Sequence, residues 1–320
     1  MTHAEAPALV ADIGGTNTRV ALAQGSELLT DTIHRFRNAE YPDLETVLRH
    51  YIEGRGNTQL SGACVAVAGP VRDGIGRLTN LNWQIDTETL ARAAGTGRVA
   101  ILNDLQAQGH ALDYLDEPSL RPVLSGAPEG PNATRLVIGI GTGFNAAAVI
   151  PGPNGPIVTA AEAGHVALPV ENEDDLALAT FVKGADDFAA VEDVLSGRGL
   201  SRLFSWVTTR AGTPEQADAA AVMGMLAQGD AVAAEEAARI FTRHLGIASG
   251  NLALTFLPFG GIYLCGGVAR AVAPYLQQLG FPAAFHGKGR FTGFLEGFAI
   301  SVIEDDYAAL TGCAAHLVHK

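Results

Sequence analysis

Short apolar runs that stop at glycine punctuate the chain. Ala8-Leu9-Val10-Ala11-Asp12-Ile13 is the first, and it ends in Gly14-Gly15-Thr16-Asn17. Apolar runs resume over Thr18–Ala23 and Leu28–Phe36, which predicts strand, tight turn, strand, strand. Helical spacing predicts helices over Asp43–Glu53 and Thr87–Ala94. A buried strand, Ala63–Ala68, stops at Gly69-Pro70. Another, Arg98–Leu102, delivers Asn103-Asp104 to the start of a helix that runs to Tyr114.

A proline- and glycine-rich stretch, 116–134, breaks the composition and predicts a hinge. The opening pattern then returns: Leu136–Ile140, Gly141-Thr142-Gly143, Phe144–Ile150. Leu9–Ala23 lies over Leu136–Ile150 without a gap, with five of fifteen positions identical. Either two related domains each open on a glycine hairpin, or the abundance of Gly, Ala and Val produces the match by chance. Glu171–Asp193 is acid-rich and predicts a solvated surface excursion. Helices follow over Ser201–Thr209, Pro214–Ala227 and Asp230–Leu254, and the chain closes with a strand (Phe298–Ile303) and a helix (Asp306–Val318). Between His244 and Arg270 lie 25 residues without an ionised charge, long enough to raise a membrane span. Seven interruptions, six of them glycines and one Pro258, favour instead a buried helix end, a turn, a buried strand Ile262–Cys265 and a glycine turn.

A length of 320 residues suits two domains. Only 17% of residues are charged, so the surface is lightly charged or the buried fraction is high. The net charge of −13 argues against binding nucleic acid or anionic membrane. A phosphate ligand would have to be held by backbone N–H groups and helix ends. Cys64, Cys265 and Cys313 lie far apart in apolar surroundings and form no C-x-x-C pair, so buried thiols are expected rather than disulfides or a structural zinc site. Met1–Val10 lacks the basic and apolar segments of a secretory leader, and a cytoplasmic protein is expected.

Two glycine hairpins are candidate phosphate cradles. Asp12-Ile-Gly14-Gly15-Thr16-Asn17 offers open backbone amides, two short polar side chains and a strand-end carboxylate able to hold a metal ion through water. The bland alternative is a plain hairpin. Gly139-Ile-Gly141-Thr142-Gly143 is of the same type. Neither is a Walker A loop, because Gly287-Lys288 has Pro282 where the upstream glycine is needed. Neither is a dinucleotide fingerprint, because no glycine occupies 144–146.

Asn103-Asp104 sits at a strand mouth, where Asp104 either accepts a proton from a substrate hydroxyl or caps the next helix, or both. Glu162-Ala-Gly-His165 pairs a carboxylate with an imidazole, fit for a metal or a polyol; a histidine satisfied by backbone is the alternative. Glu192 opens a helical pattern that ends on Gly197-Arg198-Gly199, or else belongs to a solvated acidic face. Gly266-Gly267, after a strand, allows backbone to approach a flat ligand or simply tight packing.

Taken in order, these segments resemble the bacterial glucokinase family, in the zinc-free branch outside the ROK group, within the actin-like sugar kinase and Hsp70 fold group. The carriers are Asp12-x-Gly-Gly-Thr-Asn, Ala68-Gly69-Pro70, Thr79-Asn80 with Asn82-Trp83, Leu102-Asn103-Asp104-Leu105, Gly139–Gly143, Glu162-Ala-Gly-His165, Glu192-x-Val194-Leu195-Ser196-Gly197 and Gly266-Gly267. The cysteine-rich zinc motif of the ROK group has no counterpart in Leu168–Lys183.

The resemblance implies an α/β fold of two actin-like (ribonuclease H-like) domains, with mixed sheets flanked by helices and an active-site cleft between them. The smaller domain would be 1–112 plus 301–320, and the larger 113–300. It implies phosphorylation of glucose by ATP at the 6-hydroxyl, the first step of glycolysis. Asp104 resembles the catalytic base; Asn103, Asp104, Glu162, His165 and Glu192 resemble the sugar-binding set. Gly14, Gly15, Thr16 and Asn17, with Gly141, Thr142 and Gly143, resemble the phosphate loops. Gly266 and Gly267 resemble the adenosine-side turn, and Asp12 the carboxylate near Mg²⁺. ATP, Mg²⁺, no structural zinc, no nucleic-acid or membrane partner, and a homodimer are implied. A kinase for another hexose or amino sugar, and a non-catalytic sugar sensor, are the competing readings. A pure binder would need neither Asp12 nor Asp104.

Overall fold

The structure is a computed structural model that describes residues 6–78, 81–127, 130, 133–184, 187–229 and 231–320. Thr79-Asn80 of the family resemblance, residues 185–186 of the acidic segment and Asp230 of the expected helix lie outside the described residues. The chain divides into two compact units. One holds the chain up to Glu117, Gly152–Ala160 and Asp305–Lys320; the other holds Pro118–Pro151 and Ala161–Glu304.

In the first unit the apolar runs pair as a five-stranded sheet whose central parallel strands are buried on both faces. The strands are β1 (Ala8–Ile13), β2 (Asn17–Gln24), β3 (Glu27–Arg37), β4 (Gly62–Val67) and β8 (Val99–Asn103), in the order β3-β2-β1-β4-β8. β1 is antiparallel to β2 and parallel to β4, which is parallel to β8. Alternate side chains serve two cores. Leu9, Ala11, Ala63, Val65 and Ile101 pack with α1 (Leu44–Gly54) and α2 (Thr87–Ala94). Val10, Cys64, Ala66 and Leu102 pack with α3 (Asp104–Ala111) and α11 (Ala308–His319). Covering both faces is why these strands read as continuous apolar runs. Asp43 and Asp86 start α1 and α2 by accepting the Thr46 and Thr89 amides at 2.8 and 2.7 Å.

Three strands too short for a periodic signal, β5 (Val71–Arg72), β6 (Ile75–Arg77) and β7 (Gln84–Asp86), form a small antiparallel sheet beside them. Gly152–Ala160 carries the two-residue β12 (Ile157–Val158).

The second unit contains β9 (Leu120–Leu124), β10 (Arg135–Ile140), β11 (Phe144–Ile150), β13 (Ile262–Cys265) and β14 (Ile300–Ile303) in the order β11-β10-β13-β14-β9. β9 corrects the reading of 116–134 as only a hinge: Leu120–Leu124 pairs antiparallel with β14 at the sheet edge, where Pro122 is tolerated. The helices are α4 (Glu173–Val182), α5 (Gly197–Arg210), α6 (Ala219–Gln228), α7 (Val232–Phe256), α8 (Gly267–Val272), α9 (Phe281–His286) and α10 (Thr292–Leu295). The uncharged stretch after His244 resolves into the second half of α7 and then β13, and α9 packs on α7 at Gly246 and Gly250. No helix among the described residues is long and apolar enough to cross a membrane.

Two further expectations change. The acidic segment is not simply solvated, because Glu173–Val182 is helical and Asp175 is buried. Burial pushes the Asp175 carboxyl up, but hydrogen bonds from His244 and Arg243 outweigh it and hold the group below the usual carboxylate range. Its partners tie α4 to α7: the Arg243 guanidinium, His244 Nε2 at 3.3 Å, and the Glu171 amide at 3.0 Å. Second, Gly197-Arg198-Gly199 begins a helix rather than ending one. Ser196 Oγ accepts the Gly199 amide at 3.0 Å, an N-cap that the two glycines masked in the sequence. Cys64, Cys265 and Cys313 are buried thiols outside any disulfide.

Candidate active site

The chemistry-bearing residues of the first unit gather at the carboxyl ends of parallel strands. β1, β4 and β8 finish in register, with Ile13 beside Val67 and Val67 beside Asn103. Ligands of open α/β sheets sit at such an edge.

After β1 the chain reverses through Gly14-Gly15-Thr16. The Gly14 amide donates to the Asn17 carbonyl at 3.0 Å, which closes the turn. Neither Gly14 nor Gly15 has a positive φ, so the turn does not draw on the left-handed freedom of glycine. Asn38, from beyond β3, holds it instead. Its amide nitrogen Nδ2 donates to Gly14 O at 2.8 Å, its backbone N–H donates to Thr16 O at 3.0 Å, and its Oδ1 accepts from Thr18 Oγ1 at 2.8 Å. Sequence reasoning missed Asn38. An asparagine after a strand carries no signal of its own, and only the sheet shows that it reaches back.

Asp12 faces Arg19 across the β1–β2 register, and Arg19 Nη1 lies 3.3 Å from Asp12 Oδ2. Burial pushes the Asp12 carboxyl up, and the Arg19 charge and hydrogen bond oppose it. Arg19 is itself steadied by the Asp306 carbonyl at 3.4 Å.

At the end of β8 the roles of the two neighbours separate. Asn103, not Asp104, caps α3. Asn103 Oδ1 accepts the Leu105 amide at 2.9 Å, and Gln106 Oε1 reaches back to the Asn103 amide at 3.1 Å. Asn103 Nδ2 donates to Gly69 O at 3.1 Å, tying α3 to the Ala68-Gly69-Pro70 turn. Asp104 is the first helical residue and half-buried, with Oδ1 accepting the Leu105 amide at 2.9 Å. At the helix start its carboxyl meets the positive end of the α3 dipole.

The second unit builds its own cluster at the ends of β10 and β13, paired Gly139 to Cys265. Gly141-Thr142-Gly143 turns the chain into β11, with Gly141 N donating to Gly143 O at 2.9 Å. The α5 start is pinned to this loop, since Gly197 N donates to Gly141 O at 2.8 Å. Gly266 has φ 99°, and a Cβ there would meet Ile140 O at 2.4 Å, so glycine alone lets this turn lie against the loop. Gly267 opens α8 with no atom within 4 Å of its Cβ position.

Glu192 reaches into the same loop. Its Oε2 accepts the Phe144 amide at 2.9 Å, and its Oε1 accepts from Arg198 Nη2 at 3.1 Å. Glu162 and His165 are exposed on one 3-10 turn, where the His165 amide donates to Glu162 O at 3.1 Å. Burial raises the Glu162 carboxyl; the His165 charge lowers it and Glu192 raises it, so these three groups share one electrostatic neighbourhood. Among the described residues, no three or more His, Cys, Asp and Glu side chains gather as a metal-ligand group. Asp12, Gly14–Asn17, Asn103 and Asp104 therefore cluster in one unit. Gly141–Gly143, Glu162, His165, Glu192, Gly266 and Gly267 cluster in the other.

The family model described as Glucokinase matches residues 9–320. The chain belongs to the glucokinase family. It is similar to the glucokinase of Chromobacterium violaceum, at 34% identity over 97% of this chain and 89% of that one. Its fold matches a glucokinase from an Antarctic psychrotroph at 30% identity and TM-score 0.85, covering 99% of this chain and all of that one (100%). A ROK family glucokinase from Streptomyces griseus, solved with glucose and AMPPNP, shares the fold at 18% identity and TM-score 0.65, covering 97% of this chain and 98% of that one. As a glucokinase family member with two α/β domains of the actin-like ATPase fold, the chain is an ATP-dependent glucose-phosphorylating kinase.

Proposed function

We propose that this kinase transfers the γ-phosphoryl of Mg·ATP to the 6-hydroxyl of glucose with Asp104 as the general base. The observation that carries the assignment is the division of labour at the start of α3. Asn103 caps the helix with Gln106, while the half-buried Asp104 carboxylate stands at the helix start with Oδ1 on the Leu105 amide. Asp104 takes the hydroxyl proton, the sugar oxygen attacks the γ-phosphorus, and the bond to the bridging oxygen of ADP breaks. Asn103, Glu162, His165 and Glu192 hydrogen-bond the sugar hydroxyls, which a buried polyol requires.

The backbone of Gly14–Asn17 and Gly141–Gly143 receives the phosphates, as a chain with net charge −13 must do locally. Gly266-Gly267 lines the adenosine side. Gly197 lies beside Val268, and Ser201, one turn further along α5, lines a groove with Ser205, Gln216, Ala217 and Asp218. Asp12 fits Mg²⁺ held through water: it is a single hard carboxylate, with one oxygen turned to Arg19. The ion supplies charge neutralisation at the phosphates when bound.

Buried thiols outside any disulfide and an acidic chain suit a cytoplasmic enzyme, and we take the family's homodimer as the working assembly. ADP release from Mg·ATP is the test, with glucose, mannose, fructose, N-acetylglucosamine, N-acetylmannosamine and no sugar. Turnover mainly with another sugar would overturn the substrate; no turnover with any would overturn the reaction.

A further inference from the structure

Two residues at the start of β11 hold the sugar-facing segment 161–165 within the second unit. Phe144 gives its amide to Glu192 Oε2 at 2.9 Å, and its carbonyl lies so close to Gly164 that a Cβ there would sit 2.1 Å away. Asn145 does the rest with its side chain. Nδ2 donates to Ala161 O at 2.6 Å, and Oδ1 accepts the Ala163 amide at 2.9 Å and the Ala146 amide at 2.8 Å. Asn145 thus grips the backbone on both sides of Glu162 while standing two residues after Gly143.

We propose that Asn145 is a positioning residue that sets Glu162 for the sugar and anchors the sugar-facing segment to the exit of the phosphate loop. The inference rests on the glucose-kinase reading and extends it to a residue outside the motif set. A carboxylate on an exposed turn is useful for recognition only if its backbone is fixed, because each hydrogen bond to a hydroxyl must otherwise overcome the entropy of ordering the turn. Asn145 supplies that order from a strand, where side-chain direction is set by the sheet. It is not a sugar ligand, so its loss should act on glucose and leave ATP alone.

The test uses the whole enzyme and two variants, N145A and N145D. N145A removes all three bonds. N145D keeps both acceptor bonds and lacks only the donor to Ala161 O, so it remains informative if N145A fails to fold. In each variant KM for glucose should rise about 10-fold or more, while KM for ATP stays within about 2-fold. Calorimetric glucose affinity should fall by the same factor. In N145D the glucose KM should recover toward wild type as pH is lowered, because a protonated carboxyl can donate to Ala161 O. A glucose KM within about 2-fold of wild type in both variants overturns the proposal. So does an equal rise in both KM values together with a lowered Tm, which marks a structural role only. A wild type that releases no ADP with glucose sinks the functional reading and this inference with it, and is told apart because the variants are then irrelevant to the failure.

Discussion

Asn38 Nδ2 donates to the carbonyl of Gly14 at 2.8 Å, so a buried side chain beyond β3 shapes the first glycine turn. Asn38→Ala leaves Thr18 Oγ1 and Gly14 O without that partner in a buried setting. The loss should destabilise the protein by about 1–3 kcal/mol. It should also loosen the loop that receives phosphates, raising KM for ATP about 10-fold with little change for glucose. Thermal unfolding and ADP-release kinetics measure the two effects. A variant of normal stability and normal ATP KM would show that the turn needs no brace.

The two hairpins are braced by different chemistry at equivalent places. Thr18 and Asn145 occupy the same position when Leu9–Ala23 is laid over Leu136–Ile150. Thr18 receives a brace from Asn38, whereas Asn145 is the brace. The repeat was legible because it rests on apolar runs and glycines, which local pattern reports. Asn38, Asn145 and Gln106 were not, because each acts on backbone brought near by the sheet. The same limit explains the error at Gly197: two glycines in three positions read as a stop, and Ser196 as a cap is recognisable only with Gly199 folded back onto it. Strand β9 hid behind Pro122, which an edge position permits. Asp175 read as surface because the arginine and histidine that bury it come from a helix 68 residues further on.

Asp104→Asn separates catalysis from folding. Asn103 retains the cap, so α3 should form and Tm should move little. The turnover number should fall roughly 10²–10⁴-fold, the usual contribution of a general base, with a smaller change in glucose KM. Stopped turnover in a folded variant supports the base. A kcat within a factor of about 10 of wild type would remove Asp104 from that role.

Asp12→Asn should act through the metal. The substitution removes the carboxylate paired with Arg19, whose side chain is 30% exposed and can turn to water. Stability should change by less than about 1 kcal/mol. The Mg²⁺ concentration for half-maximal activity should shift upward by about an order of magnitude at fixed ATP. Titrating Mg²⁺ at saturating glucose reads this directly. An unchanged midpoint would place the ion elsewhere.

Acid stability should carry the signature of a histidine pair. His110 Nε2 and His316 Nδ1 are 3.1 Å apart between α3 and α11. Burial, then the charges of His316 and His319, lowers His110 to about 4. Burial, then Lys320 and His319, lowers His316 to about 4. The unfolded chain therefore takes up these protons at higher pH than the folded one. Their contribution is fully present above pH about 6.5 and is lost as pH falls through about 4, at about 1.4 kcal/mol per pH unit for each unmatched proton. Urea unfolding between pH 7 and 4 should show this acid limb, and His316→Gln should flatten it. An identical slope in both proteins would refute the pair as its source.

Gly312 sets how closely α11 approaches α3, and through α3 it should affect activity. A Cβ at Gly312 would stand 1.7 Å from Ala107 O and 2.6 Å from Ala107 C. These are backbone atoms, so no side chain can swing aside. Helix propensity alone would make Gly312→Ala stabilising by about 1 kcal/mol. Overpacking opposes it at about 1–3 kcal/mol, and the contact is closer than most that such values describe, so the steric effect should win. Relief requires α3 to move away from α11. Asn103 and Asp104 stand at the start of α3, held by the Gly69 carbonyl and the cap, and a shift of the helix strains both. The expected outcome is a lower Tm together with a reduced kcat and a weaker glucose affinity, although Gly312 touches no substrate. A more stable G312A with wild-type kinetics would mean that the two helices have room that this packing does not show.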